Sequence, residues 1–120
     1  MAVKGCPCKG KLLGMFTSSG TVAEQGPVKG RFKAQPTLAK PTLSGSTTLT
    51  GAHGTIVIAY SGRLIPTSPP HSDGSVDYEI GVGTWSVRTA SGGFAPLRGG
   101  GGKFYATVAK NLVHASYLPA

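Results

Sequence analysis

Residues 76–89 read VDYEIGVGTWSVRT, and this segment decides the fold class. Apolar and polar residues alternate along it, which is the two-residue period of a β-strand with one buried face. The period changes phase inside the segment, because Tyr78 and Val82 occupy even positions whereas Trp85 occupies an odd one. A β-bulge near Gly81–Gly83 would return both sets to one face, and such bulges bend long strands around a barrel corner.

The same period recurs along the rest of the chain, and helical spacing is nowhere sustained. Strands are predicted at residues 13–23, 28–34, 42–50, 55–60, 76–89, 103–108 and 112–118, separated by Gly-, Pro- and Ser-rich turns. Evenly spaced short strands with glycines inside them predict an all-β fold, a small closed or nearly closed antiparallel β-barrel of seven or eight strands. Residues 12–120 form this single barrel domain, and residues 1–11 are predicted to be a flexible, basic, Cys-containing arm.

Two segments carry a resemblance to a known family. Residues 83–87, GTWSV, lead into residues 92–102, GGFAPLRGGGG, and residues 51–58 repeat part of the strand pattern. This arrangement resembles the strand–loop–strand signature of the allene-oxide-cyclase-like barrels, a superfamily that includes small bacterial barrels of unknown function. The resemblance implies a barrel that holds a ligand in its mouth, and no catalytic residue carries over from it. Phe94 and Leu97 are predicted to fold back and plug one barrel end.

The charge is strongly basic and unevenly distributed. The chain has 12 Lys and Arg against four Asp and Glu, for a net charge of +8. Residues 1–40 contain seven of the cations and one of the acids. Lys29, Arg31 and Lys33 alternate with apolar residues, so they are predicted to share one strand face, with Phe32 on the other. That face would attract polyanions by charge, without base recognition.

No metal site or cofactor is predicted. Cys6 and Cys8 are too close in sequence to staple a domain, and the three histidines show no spacing that would bring them together. The glycine run at 99–102 lacks the spacing and the following helix of a phosphate-binding loop. No secretory signal or membrane-spanning apolar run is visible, so a cytoplasmic location is the default and no membrane partner is expected. A mature chain whose leader had been replaced by Met1 would look the same.

Three functions are compatible with these patterns, and the first is favoured over the other two. The first is a barrel that binds a small apolar ligand, including a cyclase or isomerase that shapes it, with aromatic residues as the predicted ligand contacts: Tyr60, Tyr78, Trp85 and Tyr105. The candidate catalytic side chains are charged residues of the same long strand: Asp77, Glu79 and Arg88. The second is a structural or self-associating module that forms homo-oligomers. The third is a polyanion binder that uses the basic N-terminal third, through Lys29, Arg31 and Lys33.

Overall fold

The computed structural model describes residues 9–18, 22–35, 41–74, 76–109 and 112–119. The strands are β1 (Lys9–Thr17), β2 (Gln25–Gln35), β3 (Thr42–Gly51), β4 (Gly54–Pro66), β5 (Tyr78–Ala90), β6 (Gly101–Ala109) and β7 (Leu112–Pro119). A 3-10 helix, Gly92–Leu97, connects β5 to β6. β1 begins at Lys9, inside the segment predicted as an arm, and residues 1–8, with Cys6 and Cys8, lie outside the described residues.

The seven strands form one antiparallel sheet in the order β1 to β7. This confirms the all-β class, but the sheet is a strongly curled, open half-barrel and not a closed barrel. The strand count supplies a physical reason. With an odd number of strands in an antiparallel meander, β1 and β7 run in the same direction, so closing the sheet would need a parallel ladder between them.

A bulge in β5 removes only part of the phase change, because Ile80 and Val82 stay on the face opposite to that of Trp85. The ladder with β4 runs in register through Gly81–Gly83 and shifts between its pairs with Ile65 and Pro66, so Glu79 has no partner there. The predicted position of the bulge is therefore wrong. The shift at Glu79 nevertheless places Tyr78 on the same face as Trp85, because an extra residue reverses side-chain parity.

The concave face of the sheet is lined by aromatic residues that lie opposite glycines. Across neighbouring strands the pairs are Phe16 with Gly26, Phe32 with Gly10 and Gly45, Tyr60 with Gly45, Trp85 with Gly102, and Phe104 with Gly83. A Cβ atom on Gly83 would stand 2.8 Å from the Phe104 ring. Glycine thus gives each ring the space to lie across the neighbouring strand, and this pattern lets the sheet curl tightly.

The 3-10 helix packs against β4 and β5 and contributes a ring to the core. Phe94 on this helix is only 1% exposed and packs against the Phe16 ring, with 6.0 Å between the ring centroids. Leu97 is partly buried against the same core. Phe94 and Leu97 therefore fold back onto the core, as predicted. Ile56 on β4, also 1% exposed, belongs to the same core.

Candidate functional site

The convex surface of β1 and β2 carries a cluster of cations. We call it the basic face, and it consists of Lys11, Lys29, Arg31 and Lys33, all exposed. The three β2 cations occupy alternate positions, which spaces them by about 7 Å along the strand. Lys11 lies directly opposite Arg31 in the β1–β2 ladder. The face therefore presents a two-strand array of positive charge.

The residues between these cations hold the basic face outward. Gly30 is buried and Phe32 is half-buried on the concave side. A Cβ atom on Gly10 would stand 2.9 Å from the Phe32 ring, so this ring covers the β1 backbone at that point. Because strand side chains alternate between faces, burial of Phe32 commits Arg31 and Lys33 to solvent. Phe32 therefore offers no stacking platform to a base on the convex side.

The basic face has no acidic neighbour to neutralise it. Strands β1 to β4 contain no Asp or Glu. Like charges directly opposite each other, as Lys11 and Arg31 are, destabilise a sheet. Within the described ranges, no carboxylate pairs with any of the four cations. The charge is therefore available to an external anion.

Hydroxyl groups extend the basic face onto the next strand. On β3, Thr48, Ser46 and Ser44 lie opposite Lys29, Arg31 and Lys33 respectively. Hydroxyl groups also donate hydrogen bonds to phosphate oxygens in protein–nucleic acid complexes. The convex surface thus combines cations with neutral donors in adjacent rows.

The acid closest in sequence to the basic face has a partner elsewhere. Glu24 accepts a hydrogen bond from the backbone N–H of His53 at 3.2 Å, and its carboxylate lies 3.1 Å from Nδ1 of the same residue. The hydrogen bond to the His53 side chain, followed by the one to its backbone, holds the pKa of Glu24 below its usual value. Glu24 therefore joins the connection before β2 to the β3–β4 turn and leaves the cations uncompensated.

The four predicted ligand-contacting aromatics do not share one face. Tyr60 and Trp85 are buried in the concave core, and Tyr78 lies opposite Pro66 on the same side. Tyr105 is on the convex face, where it is 45% exposed. Three of the four therefore share the concave face, where Tyr60 and Trp85 are directly opposite each other and Tyr78 lies seven residues further along β5, and the fourth is on the other face.

Two of the three concave aromatics have their polar atoms paired within the fold. The Tyr60 hydroxyl donates to the Arg31 carbonyl oxygen at 3.2 Å, and Trp85 Nε1–H donates to the Leu118 carbonyl oxygen at 2.9 Å. Burial, with a smaller contribution from Tyr117, raises the pKa of Tyr60 to about 12. Among the described residues, the Tyr78 hydroxyl is buried without a hydrogen-bond partner.

Sequence reasoning missed Tyr117 on β7. Its ring packs edge-on against Trp85, with 5.9 Å between ring centroids, and its hydroxyl shares a hydrogen bond with Thr47 Oγ1 at 3.1 Å. Burial raises the pKa of the Tyr117 hydroxyl. The sequence does show that Tyr117 is two residues from Ala115, so both side chains lie on one face of β7. It does not show which strands that face packs against.

The three candidate catalytic residues lie apart. Asp77 is exposed and pairs with His71, 3.2 Å away, while Glu79 accepts a hydrogen bond from the Thr67 hydroxyl at 3.1 Å. Both acids therefore contact the loop that precedes β5. Arg88 occupies the second register shift of β5, nine residues further along an extended strand, which is about 30 Å. It lines a shallow, open depression of about 430 Å³ together with Arg98.

Two further features, a metal-binding cluster and a membrane-spanning helix, are not found in the part of the chain described. No three His, Cys, Asp or Glu residues in these ranges are grouped to hold a metal ion. No helix there is long and apolar enough to cross a membrane. Comparison with known proteins finds no family model, no curated protein and no solved structure that matches this chain. The resemblance to allene-oxide-cyclase-like barrels therefore stays a prediction.

Proposed function

We propose that the protein binds anionic polymers through the basic face. The observation that carries this proposal is the segregation of charge: four exposed cations on two adjacent strands, with no acid in β1 to β4. A positive array of this kind binds a polyanion by releasing its condensed counterions, independently of sequence. Hydroxyls of β3 in the adjacent row add neutral donors to the same surface.

The binding does not depend on nucleic acid sequence. Reading a nucleic acid base requires side chains that reach base edges or rings that stack on them. Phe32 faces the core, and the exposed ring of Tyr105 is on β6, four strands away from β2. We therefore expect similar affinity for duplex DNA of any sequence, and competition by heparin, another polymer of high negative charge.

Fluorescence anisotropy with a labelled duplex of about 20 base pairs tests the proposal. Affinity should fall steeply with salt, with a slope of magnitude about 3 to 4 in log Kd against log salt if each cation of the basic face meets one phosphate. The triple variant Lys29→Gln/Arg31→Gln/Lys33→Gln should lose most of the affinity and reduce the slope by about 2 to 3.

A matched variant separates the basic face from net charge. Arg63→Gln/Arg88→Gln/Lys103→Gln removes the same three charges from exposed positions outside β1 and β2. It should keep most of the affinity. Equal losses in the two triple variants would overturn the assignment to the basic face, and so would binding that does not change with salt.

A second candidate, binding of a small apolar ligand on the concave face, is favoured by one observation. The Tyr78 hydroxyl is buried without a partner among the described residues, which costs free energy unless something supplies a hydrogen bond. A ligand that is apolar with one polar group would meet that need. Energy transfer from Trp85 to the neutral dye 1-aminoanthracene, used as the probe, should report binding, since Trp85 is the single tryptophan.

Removing the hydroxyl tests this second candidate directly. Tyr78→Phe should be more stable than the parent and should bind a probe that has a hydroxyl or amine group more weakly. Tyr105→Phe, on the convex face, should change neither property. No transfer to the dye from the unmodified protein would exclude this candidate while leaving the basic face untouched.

A further inference from the structure

Within the described ranges, β7 is an edge of the sheet, and its own sequence lacks the usual protection against pairing. Alternate backbone groups of an edge strand point away from the sheet, and natural proteins shield them with charged residues, bulges or prolines. β7 contains no Lys, Arg, Asp or Glu, and its proline, Pro119, is the last residue. Its ladder with β6 is regular along its whole length. Leu112 and Leu118 are 66% and 56% exposed.

The opposite edge of the sheet is protected by charge. On β1 the exposed side chain of Lys11 sits beside Arg31 of β2. A second copy approaching this edge would bring its own cations against these ones, in a chain of net charge +8. Electrostatic repulsion therefore directs self-association to β7 and away from β1.

We infer that β7 pairs antiparallel with β7 of a second copy, about a two-fold axis at Ala115. The strand is self-complementary around this residue: two apolar residues, one polar residue, Ala115, one polar residue, two apolar residues. Leu112 then lies opposite Leu118 of the second copy, and Val113 opposite Tyr117. His114 meets Ser116.

Both faces of the strand agree with this register. Leu112 and Leu118 have the parity of the convex face, whereas Val113 and Tyr117 have that of the concave face. The apolar pairs therefore match on both sides of the joined sheet. A shift by two residues in one direction sets Leu112 opposite Ser116, and in the other direction it sets Leu118 opposite His114. The symmetric register is the one that joins apolar to apolar throughout.

The pairing also agrees with the proposed interaction surface without depending on it. A two-fold axis perpendicular to the sheet keeps both convex faces on the same side of one continuous sheet, to which each copy contributes seven strands. The two basic faces then lie on the convex surface at its far ends. A dimer would therefore engage a long polyanion at two places, which raises avidity beyond that of one site.

Analytical ultracentrifugation of the full chain tests the inference. The protein should be a dimer, and either Leu112→Lys or Leu118→Lys should raise the dimer Kd at least about 100-fold, because symmetry places each substitution in the interface twice. Leu13→Lys is the matched control, since Leu13 is 83% exposed at the β1 edge. It should leave the dimer intact.

Fluorescence separates loss of pairing from loss of fold. Trp85 reports the docking of β7, because its Nε1–H donates to the Leu118 backbone carbonyl, which the Lys substitution retains. The emission spectrum of the Leu112→Lys and Leu118→Lys monomers should therefore match that of the parent. If either Lys variant has an altered emission spectrum, Leu118→Ser takes its place in the ultracentrifugation measurement of the dimer Kd.

A cysteine scan tests the register. In a Cys6→Ser/Cys8→Ser background, Ala115→Cys should form an intermolecular disulfide on mild oxidation, since the two introduced thiols would lie on directly opposite residues. Leu112→Cys, whose counterpart in the second copy lies far along the strand, should not. A parent protein that is monomeric at every accessible concentration would overturn the inference, and so would a dimer that Leu13→Lys dissociates.

Discussion

Tyr60 lies directly opposite Gly45 across the β3–β4 ladder, and its ring reaches over this glycine to the strand beyond. There its hydroxyl donates to the Arg31 carbonyl oxygen at 3.2 Å. One side chain thus ties β4 to β2 across β3. The same residue, Arg31, presents its carbonyl oxygen to the core and its guanidinium to the basic face, so concave packing and convex charge meet at one position.

Gly45→Ala should destabilise the protein by about 2–3 kcal/mol, within the range for overpacking a well-filled core. A Cβ atom at this position would overlap both the Arg31 carbonyl oxygen and the Tyr60 hydroxyl. The free energy of unfolding in urea is the measurement. Gly14→Ala is the matched control, because a Cβ atom there meets nothing within 4 Å, and its stability should be equal to or slightly above the parent's. Equal losses of unfolding free energy in both variants would show that overlap of the Cβ atom with Arg31 and Tyr60 is not the cause.

Tyr60→Phe should flatten the decline of stability at alkaline pH. Burial raises the pKa of Tyr60 to about 12, while a tyrosine in the unfolded chain ionises near pH 10. The unfolded state therefore loses its proton first, and this contribution to stability, complete below about pH 10, disappears as the pH rises toward 12. Urea unfolding from mildly alkaline pH up to about pH 12 measures the effect. If the stability of Tyr60→Phe fell with rising pH as steeply as that of the parent, the assignment of this decline to Tyr60 would be refuted.

Glu24→Gln should lower stability at neutral pH and leave it nearly unchanged in acid. The two hydrogen bonds from His53 lower the pKa of Glu24, so its contribution to stability is present above the unfolded pKa and is lost as pH falls through the folded value. Thermal unfolding at about pH 7 and about pH 3 gives the comparison. Glu79→Gln removes the same charge from an exposed position away from His53 and is the control for net charge.

Trp85→Phe should loosen β7 more than the rest of the sheet. The substitution keeps an aromatic ring against Tyr117 but leaves the Leu118 carbonyl oxygen without the Trp85 donor. The expected cost is about 1–2 kcal/mol. Hydrogen exchange by mass spectrometry should show that the substitution accelerates exchange, relative to the parent, more in 112–119 than in β3 and β4. Uniform acceleration across the sheet would contradict a specific role in holding β7.

Local periodicity predicted more of the fold than of the candidate site. The Lys29–Lys33 segment forms the strand face that its alternation indicates, whereas the bulge in β5 lies at Glu79 and brings Tyr78, but not Val82, onto the face of Trp85. The position of that bulge was not predictable from β5 alone. It depends on which β4 residue faces each β5 residue, and that partner strand contributes half of the register.

The catalytic candidates show the same limit. Asp77 and Glu79 are close in sequence, and each finds a partner in the preceding loop. Arg88 belongs to the same strand but lies far along it, because an extended chain rises about 3.3 Å per residue. Membership of one strand therefore did not imply proximity. Tyr117, distant in sequence, is the residue that packs against Tyr60 and Trp85.

The amino-acid sequence by itself determined the β class, the alternation that sorts side chains between two faces, and the charge that sets the N-terminal third apart. These are local properties, since a strand's period and a residue's charge do not depend on which strand lies next to it. Only the tertiary structure decided that five of the large rings lie opposite glycines, that the sheet stays open, and that β7 is an edge strand of the described sheet. Those features depend on the register and number of paired strands, which come from contacts between residues far apart in the chain.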